Sequence, residues 1–133
     1  MLVYLDTNIV IYLVEHNPIL SEVAAARVAG LRSAGAQMVV SELVRMEARV
    51  RPIRTGDANI LADHEAFFES PELVWSPFVR PVFDRATQIR AHWRFRPEDS
   101  LHIAAAVEAG CEVFLTNDAR LQGFEGMRVE VLG

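Results

Sequence analysis

The sequence predicts an α/β fold in which a mostly parallel sheet of four to five strands is covered by helices on both faces. Three short apolar runs, at residues 2–5, 38–40 and 113–115, have the composition of buried parallel strands. Segments with a helical apolar period separate them, and this alternation is typical of such a sheet. The chain has 133 residues and is 51% hydrophobic, which indicates one globular domain over residues 1–133.

Two helices are expected after the first strand. Residues 8–15 have a helical pattern, and Asp6, Thr7 or Asn8 is able to cap the free amides at its start. Residues 20–33 are rich in alanine and have a helical apolar period, so they are predicted to form the second helix.

The second strand leads into a predicted helix over residues 42–50. Ser41 is a suitable N-cap for this helix, and Pro52 lies just past its expected end. The middle of the chain adds three more elements: helices at 58–68 and 82–94, and a possible strand between them at 73–75.

The last third of the chain has the clearest pattern. A helix is predicted over residues 99–109, and Gly110 provides its stop signal. The strand at 113–115 follows, and a turn or short helix then leads to a candidate edge strand at 129–132.

The composition excludes several classes of protein. No apolar run reaches the roughly 18 residues of a membrane span, and the N-terminal stretch lacks the basic start of a secretory signal. A net charge of -5 argues against nonspecific coating of nucleic acid, although all thirteen basic residues are arginine. The single cysteine, Cys111, excludes an intrachain disulfide and is consistent with the cytoplasm.

Acidic residues follow two of the predicted strands. Asp6 comes directly after the first strand, and Asp118 follows the strand at 113–115. Ligands bind at the carboxyl ends of parallel strands, so both acids are expected at one edge of the sheet. Glu47 lies in the helix after the second strand and Asp99 begins the helix before the 113–115 strand, so both are able to join them.

Four carboxylates in one pocket repel each other unless a cation is present. Oxygen ligands suit Mg²⁺, or alternatively Mn²⁺, better than Zn²⁺. Such an ion activates water and stabilises charge on a phosphoryl oxygen. Each acid alone also has an ordinary explanation, since Asp6, Asp99 and Asp118 suit helix caps or turns. Glu47 is able to pair with neighbouring arginines.

Three stretches carry a family resemblance: YLDTNIVIYL, VVSELVRMEARVRPIR and EDSLHIAAAVEAGCEVFLTND. In this order and spacing they resemble the PIN domain, and closely the VapC toxins of prokaryotic toxin–antitoxin pairs. The resemblance implies a PIN-like α/β/α sandwich. It also implies that Asp6, Glu47, Asp99 and Asp118 form the acidic quartet that holds one or two metal ions and acts in catalysis.

The resemblance also assigns supporting residues. Thr116 matches a hydroxyl residue common two places before the last acid, where it orients a water, and Asn8 and Ser41 match polar positions that support the site. Glu47 is preferred to the competing Glu42 because its distance from the start of the helix matches the family. The four histidines have no spacing that suggests a metal pair, and His102 is expected to pack or hydrogen-bond locally.

The activity implied by the resemblance is Mg²⁺- or Mn²⁺-dependent endonucleolytic hydrolysis of RNA by an activated water. The implied partners are an RNA substrate, a VapB-like antitoxin and a second copy of the chain. Arg45, Arg49 and Arg96 are candidate RNA contacts because guanidinium groups bind phosphate bidentately, although a solvated helix face also explains them.

Other functions are compatible with parts of the pattern. A PIN fold that only binds RNA or protein remains the alternative, and it would not need four convergent acids. A phosphoreceiver domain relies on a lysine, and this chain has none. A haloacid-dehalogenase-like phosphatase needs a second acid two residues after the first, where this chain has Asn8.

Overall fold

The computed structural model describes all 133 residues. One sheet of five strands runs through the chain in the spatial order β3-β2-β1-β4-β5, and every neighbouring pair is parallel. This confirms the α/β prediction and makes the sheet wholly parallel. The strands are β1 (Leu2–Leu5), β2 (Gln37–Ser41), β3 (Val74–Ser76), β4 (Val113–Thr116) and β5 (Arg128–Val131).

Six α-helices connect and cover the strands. Val3, Tyr4 and Leu5 are fully buried although consecutive side chains point to opposite faces, so both faces of β1 are covered. No helix has the combined length and apolar character required to cross a membrane. The helices are α1 (Thr7–Val14), α2 (Leu20–Ser33), α3 (Glu42–Thr55), α4 (Ala58–Phe68), α5 (Arg80–Trp93) and α6 (Pro97–Glu108), and a short 3₁₀ helix (Ala119–Gly123) precedes β5.

The hydrophobic core contains 30 buried residues from all layers. The Tyr4 ring of β1 stacks on Phe114 of β4, with ring centroids 5.3 Å apart. Ala104, Ala105 and Ala106 of α6 are fully buried, so three consecutive positions of this helix face protein. Small side chains at these positions allow α6 to pack closely against its neighbours.

Helix α3 is longer than predicted. It passes through Pro52 and ends at Gly56, whose φ of +70° is readily adopted only by glycine. Pro52 lacks the amide that would bond to Ala48, but its ring is buried, and packing compensates for the single lost bond. The expected end of the helix before proline was therefore wrong.

Helix α6 begins two residues earlier than predicted. Pro97 occupies the first helical position, where its missing amide costs no hydrogen bond, and Arg96 is the N-cap residue. Asp99 is therefore an acid of the first turn rather than the residue that starts the helix. Helix α5 likewise begins before the expected residue 82, at Arg80.

The strand order creates a crevice at the centre of the sheet. The chain moves from β1 to β2 and β3 on one side, then crosses to β4 and β5 on the other. Ligands bind in parallel sheets at such a reversal of strand order. The Asp6 amide donates to the carbonyl of Leu115 at 3.0 Å, so the end of β1 is fixed beside the end of β4.

An ion pair fastens the edge strand β5 to α2. The guanidinium of Arg27 donates to both carboxylate oxygens of Glu130, at 2.5 and 2.8 Å. Glu130 also pairs with Arg128 at 3.3 Å. The hydrogen bond from Arg27 holds the pKa of Glu130 below its ordinary value.

We expect Glu130→Gln to lower the free energy of unfolding by about 0.2–1 kcal/mol at pH 7, the range for solvent-exposed ion pairs. Because the folded-state pKa is depressed, this stabilisation is present above the unfolded pKa of about 4.3 and is lost as pH falls through the folded value. Urea unfolding should show that the two proteins differ less in free energy of unfolding at pH 3 than at pH 7. Glu125→Gln, at an exposed position, is the control. A difference of equal size at both pH values would contradict this account.

Candidate active site

A polar cleft of about 340 Å³ opens where β1 and β4 end. One of its ten lining residues, Ile11, is hydrophobic, so the cleft suits a charged or polar ligand. The four acids selected from the sequence all line it: Asp6, Glu47, Asp99 and Asp118. The other lining residues are Thr7, Asn8, Arg96, Glu98 and His102.

Asp6 has both roles considered for it from the sequence, since it caps α1 and faces the cleft. Its carboxylate accepts from the Thr7 amide at 2.9 Å and from the Thr116 hydroxyl at 2.7 Å. Burial raises the pKa of Asp6 above its ordinary value, and the charge of Asp99 adds to this, although His102 and the two hydrogen bonds oppose it. A positive charge in the cleft would therefore stabilise ionised Asp6.

Glu47 reaches the cleft from α3 and is held by two side chains. The Thr7 hydroxyl donates to its Oε1 at 2.6 Å, and His102 Nε2 lies 2.6 Å from the same oxygen. Burial raises the pKa of Glu47, but the bonds to His102 and Thr7 outweigh it and the net pKa is lowered. The carboxylate is therefore kept ionised and in one orientation.

His102 is packed, as one of the two alternatives from the sequence had it, but its hydrogen bonds go to distant residues rather than to local ones. Besides Glu47, its Nδ1 lies 2.9 Å from the hydroxyl of Tyr4 on β1. The same Tyr4 hydroxyl lies 2.7 Å from the Ser41 hydroxyl at the end of β2. Ser41 does not line the cleft, and it is linked to Glu47 through Tyr4 and His102.

Arginines pair with the two remaining acids. Arg96 Nε lies 3.0 Å from Asp99, and Arg120 bonds both oxygens of Asp118 and lies 3.6 Å from Asp99. The hydrogen bond from Arg120 lowers the pKa of Asp118. Both guanidinium side chains are more than half exposed, at 57% and 58%, so solvent competes for them.

The donor chemistry of the cleft fits a divalent cation such as Mg²⁺, because it offers carboxylate oxygens and no thiolate. As the side chains stand, no three His, Cys, Asp or Glu groups are spaced to hold a metal ion. Asp99 and Asp118 are instead paired with Arg96 and Arg120.

Thr116 and Asn8, two of the predicted supporting residues, lie at the site. Besides its bond to Asp6, the Thr116 hydroxyl accepts from the Asp118 amide at 3.0 Å, so one side chain links both strand-end acids. Asn8 lines the cleft and donates to the side chain of Asn117 at 3.1 Å.

The predicted arginines fall into two groups. Arg96 lines the cleft, whereas Arg45 and Arg49 do not. Both are two residues from Glu47 on α3, and a separation of two residues directs side chains to nearly opposite sides of a helix. Glu42 is 70% exposed, pairs with Arg45 and also lies outside the cleft.

Six residues at the site were not selected from the sequence: Tyr4, Thr7, Ile11, Glu98, His102 and Arg120. Thr7 lies within the DTN stretch, and Arg120 follows Asp118 by two residues, so proximity to the acids was an available signal. Tyr4 and His102 are 98 residues apart and meet only through the folded chain.

Known structures resemble this fold over nearly its whole length. VapBC2 from Rickettsia felis, solved with a promoter DNA fragment, has a TM-score of 0.76 at 14% identity and covers all of both chains. VapC20 from Mycobacterium tuberculosis, a toxin that cleaves the sarcin-ricin loop, has a TM-score of 0.73 at 14% identity, covering 95% of this chain and 98% of its own. DNA-bound VapBC from Salmonella typhimurium has a TM-score of 0.67 at 22% identity and covers 98% of each chain.

At these identities the structural matches establish a shared fold. A comparison with curated protein sequences gives no match. The sequence profile of the PIN domain matches residues 3–126, which is most of the chain and includes all four acids of the cleft. The chain therefore belongs to the PIN domain family.

Proposed function

We propose that the protein is a metal-dependent endoribonuclease of the VapC type, and that residues 1–133 act as one nuclease domain. The observation that carries the proposal is the cleft itself, in which four carboxylates from separate elements line one polar space of a PIN fold. PIN domains are typically nucleases. A module that only binds RNA or protein is the alternative, and it gives no reason for this concentration of acids.

The proposed metal ligands and catalytic groups are Asp6, Glu47, Asp99 and Asp118, with Mg²⁺ as the ion and Mn²⁺ as an alternative. When bound, the ion lowers the pKa of a water and stabilises negative charge on a phosphoryl oxygen. Thr116 holds Asp6 and the backbone of Asp118, while Thr7 and His102 orient Glu47.

Glu47 is suited to receive a proton from the attacking water. Its pKa is below the ordinary value because hydrogen bonds outweigh the effect of burial, so the carboxylate is free of a proton near neutral pH. A general base must lie within hydrogen-bond reach of the proton that it takes, and Thr7 and His102 hold Glu47 in one orientation at the cleft. Glu42 is exposed and lies outside the cleft, so we assign it no role in catalysis.

The proposed RNA contacts differ in their distance from the acids of the cleft. Arg96 is at the cleft, where its guanidinium is able to exchange Asp99 for a phosphate of the substrate. Asn8 is exposed at the same edge and offers an amide to a base or sugar. Arg45 and Arg49 lie outside the cleft, so we assign them to a more distant part of the RNA.

We expect Asp6→Asn to reduce RNA cleavage by at least about 100-fold, because loss of a ligand should exceed the effect of losing an outer partner. Asparagine is as good an N-cap as aspartate, so α1 should still form. Cleavage of a structured RNA with Mg²⁺ or Mn²⁺ measures the effect, and sequencing of the RNA ends identifies the target. Glu47→Gln should behave similarly, whereas Glu42→Gln, five residues away on α3, should retain full activity.

Binding measurements separate this proposal from the alternative. Calorimetry should detect Mn²⁺ binding to the unsubstituted chain and markedly weaker binding to Asp6→Asn. An RNA- or protein-binding module would bind its partner equally well with either residue and would cleave nothing. Equal cleavage by the unsubstituted, Asp6→Asn and Asp118→Asn proteins would contradict the catalytic assignment.

We expect Arg96→Ala to weaken RNA binding about fivefold, whereas Arg45→Ala changes it less than twofold. The reason is that only Arg96 reaches the cleft, where the RNA backbone must approach the acids. Filter binding in the uncleaving Asp6→Asn background gives both values. Equal losses for the two variants would indicate diffuse attraction by surface charge rather than contact at the cleft.

The proposed partners are a VapB-like antitoxin and a second copy of the chain. Several similar structures are toxin–antitoxin assemblies, which supports this proposal. We assign the protein to the cytoplasm, since RNA is the proposed substrate. The free thiol of Cys111 is buried and its pKa is raised to about 12 by burial, so it is suited to remain reduced.

We expect the purified chain to be a dimer at micromolar concentration. Light scattering coupled to size exclusion should then give twice the chain mass of 14.9 kDa. A mass of one chain under these conditions would contradict the proposed homodimer and leave the cleavage assay to decide the nuclease proposal separately.

A further inference from the structure

A buried row of polar side chains runs from β2 to the cleft. Ser41, Tyr4 and His102 are at most 2% exposed, and they connect in that order to Glu47. The three links measure 2.7 Å from Ser41 to Tyr4, 2.9 Å from Tyr4 to His102 and 2.6 Å from His102 to Glu47. Polar groups buried to this degree are costly unless every hydrogen bond is made.

The direction of each hydrogen bond follows from the acceptor at the end of the row. Ionised Glu47 only accepts, so His102 Nε2 carries a proton and donates to it. In the Nε2–H tautomer, His102 Nδ1 accepts from the Tyr4 hydroxyl, which in turn accepts from the Ser41 hydroxyl. Ser41 is also an acceptor for the Val44 amide at 3.3 Å. In this arrangement every hydroxyl proton has an acceptor.

The phenol is suited to remain the donor in this row. The Tyr4 hydroxyl is buried between the Ser41 hydroxyl and His102 Nδ1, which lie 2.7 and 2.9 Å from it. Its ring is fixed by stacking on Phe114 at an interplanar angle of 9° and makes an edge contact with the His102 ring. The hydroxyl therefore has a fixed position relative to Nδ1.

We propose that Tyr4 and Ser41 are positioning residues that fix the Nε2–H tautomer of His102 and thereby the orientation of the Glu47 carboxylate in the cleft. This inference rests on the proposed nuclease function for its consequence. Which ring nitrogen of a histidine carries the proton is set by the hydrogen bond that the other nitrogen makes. Neither Tyr4 nor Ser41 lines the cleft, so their effect must pass through His102.

Tyr4→Phe tests the proposal because it removes one hydroxyl and keeps the stacked ring. His102 Nδ1 then has no donor, so the tautomer with a proton on Nδ1 becomes accessible and Glu47 loses its bond from Nε2. The matched control is Ser76→Ala, which removes a buried hydroxyl that donates to the backbone of Ala105 in α6 at 2.9 Å. Both variants lose one buried hydroxyl, but only Tyr4→Phe interrupts the row, where that hydroxyl makes two hydrogen bonds.

Two measurements at fixed pH report the outcome. Nitrogen-15 spectra of the His102 ring should show the Nε2–H tautomer in the unsubstituted chain and in Ser76→Ala, and a mixture in Tyr4→Phe. Calorimetry should show Mn²⁺ binding about tenfold weaker for Tyr4→Phe, the low end for outer partners of a metal site. Cleavage should fall mainly in kcat rather than KM, since the RNA-binding surface is unchanged.

Substitutions of His102 provide a second test. Glutamine offers one amide acceptor and one amide donor, so His102→Gln should retain more Mn²⁺ affinity than His102→Leu, which fills the space but makes no hydrogen bond. Equal affinity for these two variants, or a Tyr4→Phe protein that matches Ser76→Ala in both tautomer and Mn²⁺ affinity, would overturn the proposal.

Mn²⁺ binding and the nitrogen-15 spectra together distinguish failure of the proposed function from failure of the positioning proposal. If the unsubstituted chain binds no Mn²⁺, the proposed function fails. The nitrogen-15 spectra then decide independently whether the two hydroxyls hold His102, and an unchanged tautomer in Tyr4→Phe overturns the inference. If Mn²⁺ binds and Asp6→Asn abolishes binding while Tyr4→Phe does not alter it, the metal site stands and the positioning role is wrong.

Discussion

The parallel pairing of β1 with β4 is the interaction on which the site depends. It brings Asp6 beside the end of a strand more than a hundred residues later, through the bond from its amide to Leu115. Thr116 then joins the acids that follow the two strands. A shift in the register of β1 against β4 would reverse the faces of the strand side chains and separate these groups.

Local charge balance is the second constraint on the cleft. Each acid has its own partners: hydroxyl and amide donors for Asp6, His102 for Glu47, and arginines for Asp99 and Asp118. The partners differ in exposure, since His102 is buried and Arg96 and Arg120 are not. One side of the cleft is therefore rigid, and the other is able to rearrange when a charged ligand arrives.

Sequence reasoning predicted the parts of the fold that depend on local pattern. The strands β1 and β4 were evident as apolar runs, and the acids directly after them fell on one edge because the strands are parallel. The end of α3 was misjudged because proline was given more weight than the burial of its ring at Pro52. The roles of Tyr4 and His102 were not predictable, because their contacts arise only when β1 and α6 pack together.

The pairing of Arg96 and Arg120 with the acids has a consequence for the folding of the chain. Carboxylates crowded without counter-charges would oppose compaction of the chain, but here two guanidinium groups from the same polypeptide offset part of that repulsion. The chain thus carries part of the counter-charge for its own acidic cluster.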